Sequence, residues 1–294
     1  MALADVIQSV FSSTFINNVM ATTPFVGVAQ DRSADILNGG DSLIVPKSSG
    51  LVAVSDYTDD DNVVYSTLSP EKVEFSLDKK KYIAFQFEYE DAAQVSADVW
   101  GQAISESAQT FGSQLTEDFR TLFTSATVEN THLHELTVNG DGTVTADHRQ
   151  DLVFEFYDMI AQLREDGHEV TPVVFVPSAM HRELVKFFTV DKPQSVPAYT
   201  AGVFADARLS GFFGCDIIVD WGDTTQISAV ADTVGPQAHA VIPRRTIGYA
   251  QQLSRVEQLT STTRFARLWR ALKTYGMGVQ ESETLHRIQI KTPV

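Results

Sequence analysis

The stretch from about Gly40 to Ser125 constrains this chain most. It reads as a long polar-tipped β-ribbon followed at once by a very long helix. The ribbon starts with Ser42-Leu43-Ile44-Val45-Pro46 and Leu51-Val52-Ala53-Val54 and passes a tip at Asp56-Tyr57-Thr58-Asp59-Asp60-Asp61-Asn62. It returns with Val73, Phe75 and Leu77 alternating against Lys72, Glu74 and Ser76, the period of a strand with one apolar face. A two-stranded ribbon is marginal in water, so something outside it must cover that face. Lys79-Lys80-Lys81 reads as a turn, and Tyr82–Tyr89 as a further strand with Ile83, Phe85 and Phe87 on one side.

Asp91 opens a helix running to about Phe123, with a stripe of Ala92, Val95, Val99, Ala103, Ala108, Phe111, Leu115, Phe119 and Leu122. At ~1.5 Å per residue its ~33 residues span roughly 50 Å, more than a small domain is wide. A chain that spends a third of its length this way is expected to lie on copies of itself.

The flanking regions are more ordinary. Asp5–Ala21 carries a helical stripe that Pro24 and Gly27 end, and Gln30–Gly40 reads as an irregular extended arm. Val128–Thr145 reads as loop or short hairpin around Asn139-Gly140-Asp141-Gly142. After it come a helix from His148 to Asp166, a buried strand Val173–Val176, a helix Ala179–Phe188 and a buried strand Gly214–Asp220. That order predicts an α/β unit around a central sheet. Strands return at Ala238–Ile242, Leu253–Thr260, Phe265–Gly278 and Leu285–Ile290.

Composition narrows the chemistry. No run approaches the ~18–20 apolar residues of a membrane span, and the N-terminus lacks the basic and apolar regions of a secretory signal. Cys215 is the only cysteine, which excludes an internal disulfide and fits a small buried residue in a reducing compartment. The net charge is −16, unevenly spread. From Val241 onward there are nine Lys/Arg against three Asp/Glu, and the rest holds thirteen against thirty-five. An acidic body with a basic C-terminal segment is suited to pairing with itself in trans.

Enzyme signatures are missing. No Gly-rich nucleotide motif follows a strand. Val176-Pro177-Ser178-Ala179-Met180 lacks both glycines of a nucleophile elbow. His132-Leu133-His134-Glu135 has no further ligands at zinc spacing, and Asp59-Asp60-Asp61 lacks the spaced acids of a calcium loop. No cofactor and no metal are expected.

The order of parts resembles the major capsid proteins of tailed double-stranded DNA bacteriophages, the Hong Kong ninety-seven type capsid fold. Local matches are Asp78-Lys79-Lys80-Lys81-Tyr82-Ile83-Ala84-Phe85 with Glu90-Asp91-Ala92-Ala93-Gln94, and Ala240 to Ala250 with Leu268 to Gly276. The resemblance covers essentially the whole chain and implies an α+β fold. Its parts would be an N-terminal arm at 1–40, an extended E-loop hairpin at 41–80 and a peripheral (P) domain at 81–146 with its spine helix at 91–123. An α/β axial (A) domain at 147–237 and a β-rich return at 238–294 that completes both would follow.

The resemblance further implies a non-enzymatic virion protein, assembled in the host cytoplasm into hexamers and pentamers of an icosahedral shell. Its partners would be itself, a portal protein, a cement protein where one is used, and double-stranded DNA touched non-specifically. Some relatives begin with a helical scaffolding segment. Here the E-loop follows within about forty residues of Met1, so a separate scaffolding protein is expected. In such shells each E-loop lies over a neighbour's P domain. The expected contacts are therefore Asp59, Asp60, Asp61 and Tyr65 at the loop, meeting Arg244, Arg245, Arg264, Arg267 or Arg270 of another copy. Some members weld the shell with a Lys–Asn isopeptide bond. No asparagine follows Asn139 and the loop tip has no lysine, so no such weld is expected. Two other readings of the chain are an encapsulin-type nanocompartment shell and, outside this fold, a cytosolic α/β enzyme.

Overall fold

The computed structural model describes residues 23–36, 42–49, 69–88, 98–128, 133–165, 170–191, 208–212, 214–227 and 234–291. The helix expected over Asp5–Ala21 and the ribbon tip lie outside these residues.

Three sheets organise the described chain. The ribbon stem is β2 (Ser42–Ser49) paired antiparallel with β3 (Ser69–Ser76), from Ser42 opposite Ser76 to Ser49 opposite Ser69. A four-stranded sheet has the order β1 (Gln30–Asp31), β10 (Ile247–Thr260), β11 (Ala266–Val279), β4 (Lys79–Glu88). A six-stranded sheet has the order β5, β12, β9, β6, β8, β7, namely Leu133–Thr137, His286–Lys291, Val234–Val241, Val173–Pro177, Cys215–Asp220 and Arg208–Phe212.

The long helix is α2, described over Asp98–Ser125. Its expected start at Asp91 falls outside the described residues. The stripe read from the sequence is the buried one: Ala108, Phe111, Leu115, Phe119 and Phe123 are all buried. They share a core with Trp269, Ala271 and Tyr275 of the four-stranded sheet and with Val173 and Phe175 of the six-stranded one. The two sheets therefore meet under one helix. Residues alternate along β6, so Val174 and Val176 point to a second core on the opposite side. There α3 (Ala146–Glu165) and α4 (Ser178–Lys186) cover the sheet through Leu152, Phe156, Met159, Met180 and Leu184.

Four local expectations change. Pro24 starts a helix of its own, α1 (Pro24–Val28), because proline is tolerated in a first turn, and Gly27 lies inside it rather than breaking helix. Phe25 anchors it, stacked on Phe175 at 4.2 Å and on Phe119 at 5.8 Å. Within the arm, Gln30–Asp31 is a short strand parallel to β10, not irregular chain. Lys79-Lys80-Lys81 is the start of β4, not a turn; each residue is paired with β11, and the turn is Leu77-Asp78. Leu133–Thr137, read as loop or hairpin, is β5, which runs parallel to β12.

Candidate assembly surface

Among the described residues, the four-stranded sheet is covered on one face only. On β4, Ile83 and Phe85 turn toward α2 and its core, while Tyr82, Ala84, Gln86 and Glu88 face out. Their partners on β11 are Leu272 opposite Tyr82, Arg270 opposite Ala84 and Leu268 opposite Gln86. Glu257 and Leu259 of β10 complete the face, opposite Arg270 and Leu268. Tyr82 is 76% exposed, and Leu259, Leu272 and Phe265 are exposed large apolar side chains on or beside this face. A cavity of about 410 Å³ lies among Tyr82, Ala84, Glu257, Arg270 and Leu272. A contiguous apolar patch with a charged rim is the usual mark of a contact surface.

The expected arginines separate into different settings. Arg270 lies within the open face, its Nε donating to Glu257 Oε2 at 2.5 Å. Arg264 is at its edge, exposed, 3.8 Å from Glu88. The backbone of Arg267 pairs with Phe87 on β4. Arg244 and Arg245 sit elsewhere, in the exposed turn between β9 and β10. Arg244 adopts φ 60° there, its N–H donating to Val28 O at 2.7 Å, and Arg245 Nε donates to Glu281. Asp59, Asp60, Asp61 and Tyr65 lie outside the described residues.

The ribbon stem is fixed to the sheet at its base. Asp118, on the buried side of α2, accepts a hydrogen bond from Tyr275 Oη and lies 3.2 Å from Lys79 Nζ. Burial, and then the Asp118 carboxylate, push the Tyr275 phenol well above its ordinary range. At Gly276 a Cβ would sit 2.3 Å from Ser76 O, so only glycine lets β11 pass this close to the end of β3. Leu77 packs against Ala250 with Val45 and Ile36 alongside. Lys273 is buried under α2, 5.2 Å from the Phe111 ring centre, and its pKa is lowered to about 8 by burial.

A polar seam joins α2 to the six-stranded sheet. Arg120 Nε and Nη2 both donate to Asp220, each at 2.9 Å. Arg287 Nη2 donates to the carbonyls of Phe123 and Ala126 at 2.7 and 3.2 Å, satisfying carbonyls left open at the end of α2. The His239 ring lies on Phe123 at 5.0 Å, and burial lowers its pKa to about 3.

These polar residues were missed in the sequence. Asp118 and Arg120 flank Phe119 within the apolar stripe of the long helix, and that misfit was the available signal. The reactive side chains named in the sequence analysis are engaged within the fold. Ser178 Oγ donates to the Asp223 carbonyl at 3.1 Å, and Cys215 is buried with its thiol pushed up to about 12, mainly by burial. Cys215 thus remains a protonated core residue. His134 of the His132–Glu135 stretch is buried, its Nδ1 3.0 Å from Glu155. Among the described residues no group of three or more His, Cys, Asp or Glu is placed to hold a metal ion, and no helix is long and apolar enough to cross a membrane.

No protein-family model and no curated protein matches the chain. Solved structures do. A chain from the structure of Mycobacterium phage Che8 matches with a TM-score of 0.61 at 19% identity, over 91% of this chain and 90% of that one. The capsid structure of cyanophage P-SCSP1u matches at 0.64 and 15% identity, over 92% and 88%. The capsid of an empty GTA particle matches at 0.66 and 13%, over 92% and 90%. At these identities the likeness establishes the fold: this chain has the architecture of phage capsid proteins along nearly its whole length.

Proposed function

We propose that the protein is the major capsid protein of a tailed double-stranded DNA phage, a non-enzymatic subunit of an icosahedral shell. The fold shared with phage capsid chains over about nine tenths of each supports this reading most directly. In it, the four-stranded sheet with α2 is the peripheral domain, most of 147–237 is the axial domain, and β2 and β3 are the stem of the E-loop. The loop of one copy lies over the open sheet face of the next, within hexamers and pentamers. Its apolar strands cover Tyr82 and Leu272 while Asp59, Asp60 and Asp61 meet Arg264 or Arg270. Exposed ion pairs contribute only ~0–1 kcal/mol each, so repetition around the shell is what makes them count. Because Arg270 already holds Glu257, the loop acids would join an existing pair there.

The shell is held without covalent cross-links, since the chain has no asparagine after Asn139 and no lysine at the loop tip. Denatured particles should run as single chains near 32.4 kDa; a ladder would refute this. The deciding experiment is electron microscopy of the expressed full chain, with and without co-expressed scaffold. Closed shells that package DNA are expected. Shells filled with an enzyme cargo would point to a nanocompartment, and a monomer under all conditions would overturn the reading.

A further inference from the structure

The outer face of α3 carries two large aromatic side chains among its charges. Phe154 and Tyr157 are 55% and 54% exposed, and three residues apart on a helix they are neighbours. Asp147, Asp151, Asp158 and Glu165 are exposed around them. None of these four acids has a lysine or arginine three or four residues away, so the helix does not neutralise its own stripe. Of the two arginines of α3, the half-buried Arg149 is turned to Asp191 and Glu183, and the exposed Arg164 donates to the Gly214 carbonyl.

Helix α4 lies beside α3 over the same face of the six-stranded sheet and carries the opposite charge. Arg182 and Lys186, one turn apart, are exposed. The only acid of α4, Glu183, is buried, and already serves Arg149 and Lys186. Arg182 donates to Gln226 rather than to any carboxylate of α3. One ion pair, Arg149 with Glu183 at 3.3 Å, joins the two helices on their less exposed side, and among the described residues none joins Arg182 or Lys186 to Asp147, Asp151, Asp158 or Glu165.

Aromatic faces rimmed by carboxylates are the surroundings that favour a guanidinium or ammonium group. Every copy of the chain carries such a face and, next to it, the cationic face that fits it. We propose that this two-helix surface is a contact between copies, in which Phe154, Tyr157, Asp151 and Asp158 of one copy receive Arg182 and Lys186 of another. This rests on the shell-protein reading and gives the shell a second contact, independent of the ribbon. Because both halves recur on each copy, the contact satisfies itself either around a two-fold axis or head to tail in a ring.

Sedimentation velocity and particle counting on the full chain test this through charge reversal at exposed positions. Asp151→Lys with Asp158→Lys in one variant, and Arg182→Glu in another, should each lower association at least tenfold, while both keep the wild-type unfolding midpoint. Mixing the two variants should restore association, because the basic faces of the first then meet the acidic faces of the second. Phe154→Ser with Tyr157→Ser should not be restored by either partner. Variants that assemble like wild type, or a mixture that stays dissociated, would overturn the contact while leaving the shell reading intact. A wild-type chain that never associates would overturn both.

Discussion

The two large sheets are built from similar strands but are finished differently. The six-stranded sheet is covered on both sides. One face lies under α1 and α2 through Phe25, Phe123 and Phe175, and the other under α3 and α4 through Leu152, Met159 and Met180. Strand β6, in its middle, is buried at every residue. Among the described residues the four-stranded sheet is covered on one side, by α2, and its other side leaves Tyr82, Leu259 and Leu272 exposed. The first is a core in the ordinary sense. The second is half of one among the described residues, and under the proposed function its other half comes from another copy. The difference separates a sheet that the described chain buries on both faces from one that it buries on one face.

The largest effects should come from the seam where the two sheets share a core. Phe175 belongs to the six-stranded sheet but packs against Phe25 and Phe123 below α2. Phe175→Ala should cost about 3–5 kcal/mol, the usual range for a buried phenylalanine, read by urea unfolding. If the two halves were independently stable, part of the unfolding signal would be unaffected; a single shifted transition is expected.

Next in size is the base of the ribbon. Asp118→Ala removes the acceptor for Tyr275 and the charge partner of Lys79. Hydrogen bonds to charged groups contribute about 1.5–3 kcal/mol, so a loss of about 2–3 kcal/mol is expected by the same unfolding measurement. Proteolysis should then cut first near the stem rather than in the six-stranded sheet.

Acid should act on the closed half. His239 is held neutral, with its pKa lowered from 6.5 to about 3 by burial. Below pH 6.5 the unfolded chain binds a proton that the folded chain refuses, so stability falls as pH drops and levels off below about 3. One pH unit is worth about 1.4 kcal/mol, which makes the loss from His239 about 2 kcal/mol by about pH 5. His239→Phe, which can keep the stack on Phe123, should flatten the stability profile between pH 6.5 and about 5. An unchanged slope would show that other groups set it.

The same contrast explains what could be read from the sequence. Elements with two covered faces or a clean stripe were legible: the apolar run Val173–Val176, the period of Leu152, Phe156, Met159 and Leu163, and the long stripe of α2. Strand β5 was not, because His134 is inward and Glu135 outward in a five-residue strand that contains only two leucines. Its place depends on β12, more than 140 residues later in the chain. Lys79-Lys80-Lys81 looked like a turn because three lysines in a row suggest solvent, yet Lys79 is held by Asp118 from across the core. The open face was partly legible, since Tyr82 shares its side of β4 with Gln86 and Glu88 by simple alternation. That Arg270 already faces Glu257 depends on strand register, which no local pattern reveals.

The smallest change in stability should accompany a large change in behaviour. Tyr82→Ser with Leu272→Ser alters only the open face of the four-stranded sheet, where both side chains already meet water. Exposed substitutions away from caps, strain and buried networks usually stay within about 0.5 kcal/mol, so the unfolding midpoint should hardly move. If the face is the seat of a neighbour's ribbon, the same variant should fail to form closed shells. Serine removes the apolar area that gives such a contact its strength, while Arg264 and Arg270 keep their charges. A variant that unfolds early would mean that the face already serves the monomer. One that assembles normally would move the ribbon's seat to another surface and leave the patch unexplained.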